Sequence, residues 1–331
     1  MSDNKTYNFI NSLKVVSAVL IYTLHYIGIY YVRTGQNSKV LMFICNICYF
    51  AIPVFFMCTG YVYRNRDIDY KYVLKKIVFY YMLIILINMV SYIAKDIFTK
   101  EISINYIKER LTDSLLLKGL TPHLWFLKPL FSIYLLLPLF VKLDSKSLKI
   151  ITLIGIFFVV FKKDLPFINK LEFNFPLSYY IVLSLTGAMY KECSKKEKLY
   201  FLLFFIICTL IYKLLNRSIW FGGYGDSIYY NFAAIGHNAS DIFCMSNIIF
   251  IVFDILDIQN KTFDKVAKLS LYIYLLHPFF IHIIFDIMKI NNRLLVLILY
   301  FVTYIIMCIA FYHYDKLYRL FKNKIYRGNY G

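Results

Sequence analysis

The stretch that decides the fold is NFINSLKVVSAVLIYTLHYIGI, residues 8–29. It is long and apolar enough to predict a membrane-spanning helix, yet it contains Lys14 and His25. On an α-helix, the path from Lys14 to His25 rises about 16.5 Å along the axis and turns about 1100°, roughly 20° beyond three full turns. The two side chains therefore lie on one face. An ionisable residue inside a span is costly and usually serves function; the alternative is that Lys14 snorkels to the interface and His25 makes one buried hydrogen bond.

The composition places the chain among membrane proteins. Of its 331 residues, 60% are hydrophobic and 17% are charged, and the mean hydropathy is +0.61. A soluble domain of this size is less apolar and carries more charge. Apolar runs recur along the whole chain, and no long polar segment is left for a second unit. We therefore predict an all-α, polytopic helical bundle in the cell (plasma) membrane, formed by a single domain over residues 1–331.

The apolar runs predict about ten transmembrane helices. Their ranges are roughly 8–29, 40–62, 73–94, 123–141, 148–161, 176–190, 198–215, 241–257, 267–287 and 293–313. The fifth and sixth are short for a bilayer crossing. Lysine and arginine concentrate in alternate connections and in the C-terminal tail, which the positive-inside bias assigns to the cytoplasm. Both termini are therefore predicted to be cytoplasmic.

The formal charge of +18 does not indicate nucleic-acid binding. The basic residues lie in short clusters between apolar runs, where the positive-inside bias puts them. We predict that these loops contact anionic membrane lipid instead. Cys45 and Cys48 form one C-x-x-C motif, but no second pair and no neighbouring histidine accompanies it. No metal site is therefore predicted.

Polar side chains cluster at the ends of two predicted spans. Lys75 and Lys76 stand among tyrosines at the start of the third span, where they would hold the phosphates of a nucleotide-like donor. Ordinary positive-inside charge is the alternative. His123 and Trp125 open the fourth span, which continues to Tyr134. That concentration of polar groups indicates a functional site, and an interfacial anchor is the alternative.

Two further motifs interrupt predicted spans. The second span ends PVFFMCTGY (residues 53–61), in which the proline and glycine predict a kink or a close helix contact. The ninth span contains IYLLHP (residues 273–278), so His277 directly precedes a proline. Because the helix loses a backbone hydrogen bond there, local pairing of His277 is the alternative to a catalytic role.

Four of these motifs occur in the order found in the acyltransferase-3 family, which the chain therefore resembles. They are Lys14-x10-His25, the run at 53–61, HLWFL at 123–127 and IYLLHP at 273–278. The resemblance covers nearly the whole chain, through further matches at 176–191 and 227–253. It implies a ten-helix integral membrane O-acyltransferase that moves an acyl group, usually acetyl, from acyl-coenzyme A to a carbohydrate of the cell envelope.

The resemblance also implies roles for individual residues. His25 corresponds to the essential histidine of the family, and Lys14 stands where the family usually has arginine, so a planar bidentate group is replaced. Asn11 stands where aspartate is frequent, and Phe79 lies close to where a further arginine is common. The donor is expected to bind at Lys14, Lys75 and Lys76. The residues expected to support the reaction or bind substrate are Asn11, His123, Trp125, Tyr134 and His277.

Acyl transfer from a thioester needs a base for the acceptor hydroxyl and a donor for the developing oxyanion. An imidazole has an unperturbed pKa near neutrality, so His25 would act as the base, or would carry the acyl group covalently. Lys14 would attract the phosphates of the coenzyme from the cytosol. Acetyl-CoA is thus expected as a donor substrate and not as a bound cofactor, with an envelope carbohydrate or glycolipid as the acceptor.

Two other functions fit parts of the sequence. Charged residues and proline-broken helices in a membrane are also typical of a transporter or flippase for a small solute or a lipid-linked sugar. The replacements at positions 11 and 14 would suit a catalytically inactive subunit of a polysaccharide-assembly system. Neither the oligomeric state nor the identity of the acceptor follows from the sequence.

Overall fold

The computed structural model describes most of the chain as helix. The described residues are 8–34, 39–99, 103–116, 126–161, 175–215, 239–258, 261–268, 270, 273–274, 277, 295, 298–299, 301–306, 308–309 and 313. Every regular element within these ranges is helical, which confirms the all-α prediction.

Eleven helices have both ends within the described ranges. They are α1 (Asn8–Thr34), α2 (Lys39–Cys48), α3 (Ala51–Tyr63), α4 (Tyr70–Thr99), α5 (Ile104–Leu115), α6 (Leu127–Lys142), α7 (Ser145–Phe161), α8 (Phe175–Glu192), α9 (Lys195–Leu215), α10 (Ala239–Leu256) and α11 (Lys261–Ala267). Residues 270, 273, 274 and 277 are helical as well, as are several between 295 and 313.

Two of the described helices are long and apolar enough to cross a membrane. The qualifying stretches are Phe9–Ile27 in α1 and Tyr70–Val90 in α4, and Ala51–Tyr63 and Pro129–Lys142 are shorter apolar helices. The count of ten spans and the cytoplasmic position of both termini stay predictions. Most of the two last predicted spans lies outside the described residues.

The predicted second span, 40–62, is two helices and not one. α2 ends at Cys48 and α3 begins at Ala51. Pro53 has no N–H, so in a continuous helix the carbonyl of Tyr49 would lose its donor. In the first turn of a new helix the N–H groups have no intrahelical partner, and a proline there removes nothing. Pro53 therefore explains where the helix is interrupted.

α3 and α8 pack with their backbones in close contact. A Cβ built on Gly60 would lie 1.7 Å from the carbonyl oxygen of Ser184, and one built on Gly187 would lie 2.0 Å from the carbonyl oxygen of Met57. A side chain at either position would collide with the backbone of the facing helix. The prediction that Gly60 marks a close helix contact is therefore confirmed.

Arg64 joins the ends of α3, α6 and α8. Its guanidinium donates to Glu192 Oε1 over 3.0 Å, and to the carbonyl oxygens of Phe140 and Val141 over 3.0 and 3.3 Å. Those carbonyls belong to the last turn of α6, where the helix has no N–H to offer them. The buried guanidinium is thus both ion-paired and hydrogen-bonded, as a buried charge requires.

α9 begins with a capping box and is fixed against α7 at the same point. Ser194 N donates to Glu197 Oε2 over 2.7 Å, and Glu197 N donates to Ser194 Oγ over 3.3 Å. The other carboxylate oxygen accepts from Lys149 Nζ over 2.6 Å. The bond from Lys149 and those from Ser194 lower the pKa of Glu197 to about 2. The carboxylate therefore stays ionised at every physiological pH.

The outward face of α4 is apolar from Leu74 to Val90. Leu74, Val78, Met82, Leu86 and Val90 are all exposed, and their spacing of four residues places them along one side of the helix. α7 and α9 also expose rows of large apolar side chains. Contiguous apolar surface of this extent is unsuited to water and suits lipid chains. These faces support the assignment of the chain as a membrane protein.

Candidate functional site

A cavity of about 390 Å³ lies between α1, α3, α4, α6 and the residues that follow α11. This volume is within the range of small-molecule sites. The wall is largely aromatic and aliphatic. Among the described residues it also contains three cations and no carboxylate. The cations are Lys14, Arg66 and Lys268. Four tyrosines also line the cavity, namely Tyr63, Tyr80, Tyr134 and Tyr274.

The three cations lie at different depths. Arg66 and Lys268 are exposed, whereas Lys14 is half-buried. The Arg66 guanidinium carbon lies 5.3 Å from the centroid of the Tyr63 ring, a cation–π contact that holds the arginine at the cavity wall. The cavity is therefore open at Arg66 and Lys268, and Lys14 lies further in. A ligand that enters from this end meets positive charge before it meets the apolar wall.

Helical spacing explains why α1 presents Lys14 to the cavity. Ile21 also lines it and follows Lys14 by seven residues, or about two turns, so both side chains lie on one face. His25 continues the same face one turn beyond Ile21. Lys14 and Ile21 thus line the cavity on the face that the sequence predicts Lys14 to share with His25, and His25 itself does not line it.

His25 lies next to a second histidine, His277. The two ring centroids are 4.7 Å apart, and the ring planes are inclined by 46°. Tyr22 contacts His277 edge to face at 5.9 Å, and its hydroxyl is 2.6 Å from Thr303 Oγ1. Two residues predicted separately, from the first and the ninth spans, therefore come together.

The histidine pair lies just beyond the apolar end of the cavity. Ile21 lines the cavity and precedes His25 by one turn, and Tyr274 lines it and precedes His277 by about one turn. Phe126 also lines the cavity, and its ring centroid lies 4.3 Å from that of Tyr274. A ligand that fills the cavity from its cationic opening would therefore direct its far end toward the two imidazoles.

Asn11 contributes to the site through α11. Its Nδ2 donates to Asp264 Oδ1 over 2.8 Å. Asp264 lies on α11, about one helical turn before Lys268. The hydrogen bond therefore fixes the distance between α1, which carries Lys14, and the segment that carries Lys268.

The remaining predicted residues fall in different places. Tyr134 lines the cavity, and its ring stacks on Tyr80 at 5.6 Å with an inclination of 23°. Lys75 is exposed, and Lys76 Nζ lies 5.7 Å from the centroid of the Tyr72 ring. Neither lysine lines the cavity, so their role in donor binding stays a prediction. His123 and Trp125 lie outside the described residues.

Sequence reasoning missed Arg66, Lys268 and Asp264. Arg66 and Lys268 were counted only as loop charges, because nothing local distinguishes a cation at a cavity from one at a lipid head group. Asp264 carried no signal, since its partner lies at the other end of the chain. Within the described part of the chain, no three His, Cys, Asp or Glu side chains converge as a metal site would require.

Comparison with known families gives a match over nearly the whole chain. The family model described as an acyltransferase domain, of the acyltransferase-3 type, matches residues 7–313, which is nearly the whole chain. The match includes every residue of the cavity and both histidines. Comparison with curated proteins and with solved structures gives no match.

Proposed function

Because the chain belongs to the acyltransferase-3 family and is therefore a membrane acyltransferase, we propose that it transfers an acyl group, acetyl in the first instance, from acyl-coenzyme A to a hydroxyl of a cell-envelope carbohydrate or glycolipid. One observation carries the proposal. One cavity has Arg66 and Lys268 at its opening, Lys14 further in, and a pair of histidines beyond its apolar end.

The shape of the donor matches this distribution of charge. Coenzyme A carries its phosphates at one end and its thioester at the other, joined by the extended pantetheine arm. Lys14, Arg66 and Lys268 would bind the phosphates, since charge-assisted bonds to phosphate are among the strong polar contacts. The apolar wall would hold the arm. Lys14 and His25 lie about 16.5 Å apart along α1, so the thioester would reach the histidines.

His25 would act as the general base. Its imidazole takes the proton of the acceptor hydroxyl while the hydroxyl oxygen forms a bond to the acyl carbon. The carbon–sulfur bond then breaks, and the imidazolium returns the proton to the thiolate of the coenzyme. No net proton is gained or lost at the site. With the termini in the cytoplasm, the donor would enter from the cytosol and the acceptor from the other side.

The replacements at positions 11 and 14 do not favour an inactive protein. Lys14 still places a positive charge in the cavity. Asn11 still binds a neighbouring segment, since Asp264 supplies the carboxylate of the pair. Both positions thus keep contacts that serve a donor site, and this supports the enzyme over the assembly subunit.

The proposal predicts that His25→Ala abolishes transfer while the protein still inserts and binds the donor. Purified protein in nanodiscs would receive radiolabelled acetyl-CoA and an envelope extract, and label in the carbohydrate fraction would be counted. Loss of a general base lowers the rate by about 100- to 10,000-fold. His313→Ala is the matched control, because His313 is exposed and does not line the cavity, and it should keep the wild-type rate.

Full activity of the His25→Ala variant would contradict the assignment of the base. If the wild-type protein binds coenzyme A but labels no carbohydrate, the acceptor belongs to another chemical class. If it neither labels carbohydrate nor binds the coenzyme, the transporter and the inactive subunit become the better explanations.

A further inference from the structure

His277 is held in one tautomer by its own helix. Its Nδ1 lies within hydrogen-bond distance of the carbonyl oxygen of Tyr274. In a continuous helix that carbonyl would accept from the N–H of residue 278, which is a proline and has none to give. The imidazole therefore supplies the donor that Pro278 lacks.

This bond determines which nitrogen of His277 carries the lone pair. A carbonyl oxygen only accepts, so Nδ1 must bear the hydrogen. A neutral imidazole has one N–H, and the other nitrogen is an acceptor. Nε2 of His277 is therefore the acceptor. The ring is fully buried, and its contact with Tyr22 restricts its orientation.

We propose that His277 is the positioning residue for His25, a role that rests on the proposed acyltransferase function. The two rings lie 4.7 Å apart between centroids, and in the reacting enzyme His25 turns its N–H to donate to Nε2 of His277. The second nitrogen of His25 then carries the lone pair and faces the substrates. His25 takes up and returns the hydroxyl proton on that nitrogen, and His277 keeps its own proton throughout.

The arrangement resembles the way in which a carboxylate orients the histidine of a Ser-His-Asp triad. Here the orienting group is neutral. A carboxylate at this depth would have to be buried as a charge in the membrane, which is expensive. An imidazole whose tautomer is fixed by the carbonyl oxygen of Tyr274 provides an acceptor of defined direction without that charge.

Two substitutions separate a positioning role from a structural one. In His277→Asn the amide can still donate to the carbonyl of Tyr274, but no acceptor remains at the place of Nε2. In His277→Gln the longer side chain carries its amide to the place of Nε2, and the oxygen can accept from His25. We expect His277→Asn to lower kcat by at least about 100-fold with KM for acetyl-CoA within about twofold of wild type. The kcat of His277→Gln should be about tenfold higher than that of His277→Asn.

Wild type and His25→Ala would be assayed beside these variants in nanodiscs, and size-exclusion profiles would report folding. If the wild type is active and His277→Asn and His277→Gln have equal kcat values, the positioning role is overturned and the proposed function stays intact. A more active Asn variant, or failure of both variants to fold, would assign His277 a structural role instead. An inactive wild type with every envelope acceptor would overturn both proposals.

Discussion

Asn11 shows how one residue in the site depends on another far along the chain. Aspartate is frequent at this position in the acyltransferase-3 family. In this chain the residue that faces position 11 is Asp264, which accepts a 2.8 Å hydrogen bond from Asn11 Nδ2. Two carboxylates in contact would repel each other. The amide at position 11 is therefore the partner that Asp264 requires.

We predict that Asn11→Asp destabilises the protein and weakens donor binding. It replaces a hydrogen bond with a like-charge contact, at a cost of about 1–3 kcal/mol, and separates α11 from α1, so that Lys268 leaves the cavity. A lower melting temperature in nanodiscs and a raised KM for acetyl-CoA would register this.

The double substitution Asn11→Asp with Asp264→Asn is the control, because it restores one amide and one carboxylate in exchanged positions. We expect the melting temperature and the KM for acetyl-CoA to return to their wild-type values. If the single variant behaves like wild type, the 2.8 Å contact does not fix α11.

Single residues also show which part of the site a sequence can reveal. Lys14 and His25 belong to one helix, so the helical repeat alone puts them on one face. Arg66, Lys268 and His277 reach the same site through other elements, and their proximity depends on how the helices pack. No local pattern encodes that packing, so only the motif order indicated His277, and nothing indicated Arg66 or Lys268.

At the scale of elements, α3 and α8 form the contact on which the cavity depends. α3 contributes Phe55, Thr59 and Val62 to the wall, and its opposite side meets α8 through Gly60 and Gly187. A displacement of α3 would therefore change the width of the cavity.

We predict that Gly60→Ala destabilises the protein strongly, because its methyl group would lie 1.7 Å from a backbone oxygen, and the helices must separate to admit it. Overpacking of this kind costs about 1–3 kcal/mol or more. Thermal unfolding in nanodiscs would measure the loss.

Gly155→Ala is the matched control on α7. Its methyl group would meet a side-chain methyl of Val182 at 2.8 Å, which can move. We expect a clearly smaller shift in melting temperature. Equal shifts for the two variants would contradict a backbone-limited contact between α3 and α8.

The helices themselves were largely predictable, because apolar length and periodicity are local properties. α1 and α4 extend beyond the predicted spans 8–29 and 73–94, to Thr34 and Thr99. The break between α2 and α3 was not predicted as such. Hydropathy is continuous across 40–62, and only the position of Pro53 within a first turn explains why one apolar run becomes two helices.

At the scale of the whole molecule, charge and apolar surface are arranged around one cavity. The apolar faces of α4, α7 and α9 suit lipid, and the cations at the cavity opening lie in connections that the positive-inside bias assigns to the cytosol. In the proposed reaction this opening binds the nucleotide end of the donor, and the chemistry occurs at the opposite end of the cavity.

The most direct test compares two donors, acetyl-CoA and acetyl-pantetheine, which share the thioester and differ in the nucleotide. We predict that Arg66→Gln raises KM for acetyl-CoA by about tenfold, because a charge-assisted bond to phosphate contributes about 1.5–3 kcal/mol. KM for acetyl-pantetheine should not change. Lys146→Gln is the control, since Lys146 is exposed at the start of α7 and should leave both values unaltered.

Lys75→Gln would be measured in the same series. A selective rise in KM for acetyl-CoA in Arg66→Gln, absent from Lys146→Gln, is the expected result and would place the nucleotide at the cavity opening. A wild-type KM in Arg66→Gln together with a raised KM in Lys75→Gln would contradict it, and would place the nucleotide on the outer side of α4 instead.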